Sequence, residues 1–144
     1  MLRTVEDVLP LTRLRELNSV AELMALIAAT LTCHDALGAV ETRVLMESMR
    51  EAEREPLLRK RLAALLRDYR QVLEELIRAD QGRSHVKPGL APSALATLLA
   101  AAGDGLLLHL LVDPEVDVGE AIEALGTLLG ANSREAASVP DHQA

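Results

Sequence analysis

A single aromatic side chain, Tyr69, stands in a chain of 144 residues that is 49% hydrophobic and contains no Phe and no Trp. The core of such a chain has to be built from Leu, Ala, Val, Ile and Met. These residues interdigitate well between helices, whereas sheets draw on β-branched and aromatic side chains. An all-α fold is therefore expected. The length suits one domain with one sizeable core, and neither a linker nor an internal repeat divides the sequence.

Charge narrows the class of partner. With 15 basic and 22 acidic residues the net charge is −7, a poor match for polyanions, which are held by basic patches that displace counterions. The one dense basic run, Arg50, Arg54, Arg59, Lys60 and Arg61, is interleaved with Glu51, Glu53 and Glu55. It reads as a solvated helix surface laced with ion pairs, and no direct nucleic-acid partner is expected. Cys33 stands alone, so neither an internal disulfide nor a cysteine metal site is available, and a reducing cytoplasm is the natural compartment. Glu6, Asp7 and Pro10 interrupt the first apolar stretch, against a signal peptide. The most apolar region, Val86–Val112, is broken by Lys87, two prolines, Asp104 and His109, so no membrane partner is expected.

Periodicity then divides the chain into about six helices. Thr4–Leu17 carries Val5, Val8, Leu9, Leu11, Leu14 and Leu17, with a break expected at Pro10, which lacks the amide a helix interior needs. Ser19-Val20-Ala21-Glu22 forms a capping box ahead of a stripe at Leu23, Leu26, Ile27, Thr30 and Leu31. Asp35 is placed to cap a third helix reaching about Arg54, with Leu37, Val40, Val44 and Leu45 inward. Pro56 suits the first turn of a fourth. Its stripe, Leu58, Leu62, Leu65, Tyr69, Val72 and Leu76, alternates steps of four and three. Leu57, Leu66, Leu73 and Ile77 widen it, as befits an element touching neighbours on two sides, and Gly82 is expected to stop it in the left-handed conformation. After a loop marked by Pro88 and Gly89, Pro92 opens a fifth helix that is apolar nearly all round. Such a helix must be covered on every side, and in a chain this short a partner subunit is the expected cover. Asp117-Val118-Gly119-Glu120 is a second capping box; Ile122, Leu125, Leu128 and Leu129 follow, and Gly130 is the stop. Residues 1–130 are thus expected to form one domain, with 131–144 a loosely ordered tail.

The C-terminal third carries a resemblance. Gly82, Pro88-Gly89-Leu90-Ala91-Pro92, the Ala-rich helix with Asp104-Gly105-Leu106, and Leu111-Val112-Asp113-Pro114 before a short final helix resemble the C-terminal domain of TetR-family regulators. The resemblance implies a helical ligand-binding bundle that homodimerises through its last two helices, here centred on Leu99, Gly103, Leu106, Leu110, Ile122, Leu125 and Leu129. It also implies an apolar cavity among helices two to five, with Tyr69 as its main hydroxyl and Arg43, Met46 and Thr97 beside it. Two departures stand out. Family members usually place Asp where this chain has Ala91, so a helix cap worth ~1 kcal/mol is missing. They also begin with a helix-turn-helix DNA-binding module, of which this sequence shows no counterpart.

Chemistry-bearing residues read first as structural. His34, His85, His109 and His142 have no metal-ligand spacing, and neither a metal nor a cofactor is expected. His34 abuts Asp35 at a helix start and reads as part of a cap; His109 reads as a polar group at an interface edge. Tyr69 reads as packing with a bonded hydroxyl, and Met24, Met46 and Met49 as core filler that also suits an adaptable pocket. Arg43 and Glu47, four apart, suit a surface pair. No nucleophile elbow or phosphate loop is present. The leading expectation is an effector-binding, homodimerising domain for a small hydrophobic molecule. The alternative is a stand-alone enzyme of the same fold, cyclising or isomerising a hydrophobic metabolite, with Tyr69, His34, His109 or Arg43 supplying acid, base or oxyanion contacts.

Overall fold

The computed structural model describes residues 11–32 and 36–130, including all their side chains except those of 36–39 and 41. These residues form six α-helices: α1 Leu11–Arg15, α2 Val20–Thr32, α3 Ala36–Glu51, α4 Pro56–Gly82, α5 Pro92–Val112 and α6 Val118–Leu129. No strand occurs among them, so the all-α expectation stands.

The long helix α4 organises the rest. It packs most extensively along α5 and also touches α1, α2 and α3, while α6 lies against α2. Its apolar stripe serves two separate cores. Toward the C-terminal end, Leu73, Leu76 and Ile77 join Leu14, Val20, Leu23, Met24, Leu95, Ala96, Leu99, Val118 and Ile122 in the main cluster. Toward the N-terminal end, Leu62 packs with Leu45 and Ala52 of the α3 region, flanked by Met46, Met49, Leu58, Leu65 and Leu66. Tyr69 sits between the two, half-buried and packed on the edge of the main cluster.

Helix ends follow local chemistry. Helix α1 begins directly after Pro10, while the part of the first segment before it lies outside the described residues. At α2, Ser19 Oγ accepts from the Glu22 amide at 3.1 Å, as a capping box requires. Its reciprocal half is shifted by one residue: Glu22 Oε2 accepts from the Asn18 amide at 2.8 Å. The first amide of α2, that of Val20, is taken by the Asp80 carboxylate at 2.7 Å. Pro56 opens α4 behind Glu55, whose carboxylate accepts from the Leu57 amide. Ala91 precedes α5 with no side-chain cap. Asp117 Oδ1 caps α6 through the Glu120 amide at 2.8 Å, and Gly130 ends it at φ 79°. A side chain at Gly130 would meet strain from that φ and press on Lys87 Cγ at 3.2 Å.

Several sequence expectations are corrected. Gly82 does not adopt the left-handed conformation; α4 closes through Arg83 at φ −92°, and the positive φ falls on Ser84. Asp80 explains this, because its backbone oxygen accepts from both the His85 and Val86 amides and turns the chain there. Leu57 and Val40 are exposed rather than inward. On α3 the inward face is Thr42, Leu45, Ser48 and, just past the helix, Ala52, rotated from the reading that placed Val40 inside. Ser48 is tolerated there because its hydroxyl donates to the Val44 carbonyl at 2.8 Å. Thr30 is exposed, bonded to the Leu26 carbonyl. Glu47 pairs with Arg50, not with Arg43. Helix α5 is long and apolar enough to cross a membrane, the one such helix among the described residues. Its Leu95, Ala96 and Leu99 are nonetheless spent on the core of the fold.

Candidate functional site

Antiparallel packing of α4 and α5, with α3 laid across the N-terminal half of α4, leaves a half-open chamber where the three meet. Its volume is about 130 Å³, and its walls are Leu45 and Met49 from α3, Leu66, Tyr69 and Arg70 from α4, and Thr97, Ala100, Ala101 and Asp104 from α5. The space exists because small residues, Ala100 and Ala101, face the gap between the two clusters on α4. No described side chain larger than Tyr69 reaches into it.

Four polar residues, Tyr69, Arg70, Thr97 and Asp104, stand in this otherwise apolar wall. Burial, and secondarily the charge of Asp104, pushes the Tyr69 hydroxyl up from 10.0 to about 12. Burial alone raises the Asp104 carboxyl above its ordinary 3.8. Neither side chain forms a hydrogen bond or ion pair with another described residue. A partly buried polar group left so is costly until water or a ligand meets it. The raised Asp104 carboxyl fixes the sign of a pH effect. Above 3.8 the unfolded chain releases this proton before the folded one does. The associated stability is therefore complete at low pH and is lost as pH rises through the raised folded value. Asp104→Asn, which cannot ionise, is expected to remove that slope and to raise the melting temperature at pH 7. Parallel melts of both proteins from pH 4 to 8 check this, and a constant difference across the range would refute it.

The sequence-derived site residues divide on this geometry. Tyr69 and Thr97 line the chamber. Met46 instead packs with the Leu45–Leu62 cluster, and Arg43 is exposed; the α3 residues that line the chamber are Leu45 and Met49. Helix α2 supplies no lining residue, so the chamber lies among α3, α4 and α5 rather than α2 to α5. Of the residues expected at a subunit interface, Leu99, Ile122 and Leu129 are buried in the domain's own core. Gly103, Leu106, Leu110 and Leu125 are half-buried. The free apolar face of α5 is instead Ala94, Leu98, Ala101, Gly105, Leu108 and Val112, spaced alternately four and three apart, with Leu98 66%, Leu108 45% and Val112 87% exposed. On α6, Leu128 is 70% exposed beside the exposed Ala124. His109 is exposed and outside the chamber, and His34 and His142 lie outside the described residues.

Chain order, a long central α4, an apolar penultimate helix, a short capped last helix and a chamber beside the central helix together define the C-terminal domain of a TetR-type regulator. A family model for the C-terminal domain of BetI-type transcriptional repressors matches residues 19–132, that is α2 through α6, and the chain belongs to that family. Neither a curated protein nor a solved structure gave a match.

Proposed function

We propose that this domain binds a small hydrophobic effector in the Tyr69 chamber and pairs with a second copy of itself through α5 and α6. The observation carrying this reading is the double use of α5. Ala101 belongs both to the chamber wall and to the exposed heptad-spaced stripe. A ligand that moves α5 therefore moves the face presented to a partner, which is the physical requirement for coupling two sites. Family membership supports the same reading. A cytoplasmic setting and the absence of direct contact with nucleic acid belong to it as well; the arginines of α4 share their surface with Glu74 and Glu75. The enzyme alternative gains nothing from the chamber. No described histidine lines it, and a tyrosine pushed up to about 12 is a poor proton donor or acceptor near neutrality.

The test is thermal. A panel of alkyl and aryl compounds of four to eight carbons is expected to contain members that raise the melting temperature by several degrees, since saturation at a hundredfold excess over Kd stabilises by about 2.7 kcal/mol. Ala100→Leu, which places an isobutyl group into the chamber, is expected to abolish that response while the protein remains folded. No response across the panel, or an undiminished one in the filled variant, would refute binding at this place.

A further inference from the structure

The chamber opens onto a shallow groove of about 360 Å³ between α4 and α5, lined by Arg67, Arg70, Gln71, Glu74, Glu75, Arg78, Ser93 and Thr97. Arg70 and Thr97 belong to both spaces, so they mark the junction. The charges of the groove are unequally satisfied. Arg78 is paired with Glu74 one turn earlier, and Glu75 accepts from the Gln71 amide at 3.3 Å. Arg67 and Arg70 have no hydrogen bond or ion pair with another described residue, and Arg70 is half-buried. Arg70 at the junction and Arg67 one turn earlier in the groove thus stand on α4 without a partner among the described residues.

From this juxtaposition, and resting on the reading of the chamber as a ligand site, we infer that the effector is an anionic amphiphile: a carboxylate held by Arg70 and Arg67 at the junction, with an apolar body of about six carbons in the chamber. The guanidinium fork matches a carboxylate bidentately, and its attraction is strengthened where water is partly excluded. The chamber sets the body size. At about 130 Å³ it approaches the ~150 Å³ apolar cavity known to accept benzene. Asp104 and Tyr69, also in the chamber wall, offer polar contacts to the body.

Isothermal titration of the full chain with hexanoate, hexanol and hexylammonium tests the class. Hexanoate is expected to bind at least tenfold more tightly than either of the others, with an affinity that falls as salt rises. Arg70→Gln and, independently, the exposed Arg67→Gln are each expected to weaken hexanoate about tenfold or more. Arg67→Gln, whose side chain lies outside the chamber wall, should leave hexanol within twofold of its value in the unaltered chain. Hexanol binding as well as hexanoate, with no effect of either substitution, would overturn the anionic assignment and leave the chamber reading intact. Preference for hexylammonium would overturn it in favour of a cation drawn by Asp104. Failure of all three probes, together with silence in the thermal panel, would remove the chamber reading and this inference with it.

Discussion

Replacing Asp80 by alanine is expected to cost the domain about 3 kcal/mol, among the largest effects available to a single polar substitution here. The side chain is 1% exposed, and each of its oxygens has work on a different element. Oδ2 accepts from the Val20 amide at 2.7 Å, closing the first turn of α2 across a separation of 60 residues. Oδ1 accepts from the Arg83 guanidinium, which also donates to the Asn18 carbonyl at 2.6 Å, and His85 Nδ1 stands 3.8 Å away. The carboxylate thereby ties the end of α4 to the start of α2, where the positive end of the helix dipole favours it. Alanine would leave a buried amide with no acceptor, a penalty of about 1–3 kcal/mol, and remove a charge-assisted bond. Arg83 is partly exposed and can return to water, which keeps the total below the upper range for broken buried pairs. A fall in melting temperature of roughly 10 °C follows for a domain of this size. Asp80→Asn retains an oxygen for the Val20 amide and should lose less than half as much. Equal losses in the two variants would show that the amide contact is not what matters.

Asp80 also marks where sequence reasoning stops. Helix existence, order and caps were legible because each is set by neighbours within a turn: Ser19 with Glu22, Pro56 after Glu55, Asp117 with Glu120, Gly130 after Leu129. Asp80 carries no local signal, because its function depends on a residue 60 positions away. The same local limit produced the error at Gly82. A glycine at a helix end favours a left-handed stop, yet the Asp80 carbonyl, by capturing the His85 and Val86 amides, closed the helix another way. Tyr69 and Thr97 both line the chamber; Tyr69 stands on the strongly periodic stripe of α4, whereas α5, apolar nearly all round, carries no such register. Arg43 and Met46, which the family resemblance puts beside Tyr69, do not line the chamber; the inward face of α3 is that of Leu45 and Ser48, with Val40 52% exposed. Arg70, on which the proposed ligand class rests, carries no local signal, since a cation without a partner among the described residues is recognisable only when its surroundings are seen.

Interface residues show a related limit, and they carry the prediction with the largest effect on assembly. A helix apolar on nearly every side has no periodicity from which its free face can be read. Leu99 was therefore assigned to the interface although it is 2% exposed in the core, while Leu98, 66% exposed, was passed over. In the structure the free face is defined by Ala94, Leu98, Ala101, Gly105, Leu108 and Val112, a stripe in which three small residues lie among three larger ones. The unaltered chain is expected to sediment as a dimer at micromolar concentration, burying on the order of 1,000 Å² or more. Leu98→Glu should convert it to a monomer without loss of helicity, because Leu98 belongs to neither core cluster. A twofold interface contains every substitution twice. Losing two leucine contacts, each worth ~1.5–3 kcal/mol, and placing two like charges near the axis weakens association by at least a hundredfold. Leu57→Glu, on the equally exposed surface of α4, is the control and should leave the dimer intact. If Leu98→Glu sediments as the parent does, α5 is covered by something other than its own copy, and the coupling through Ala101 loses its physical basis.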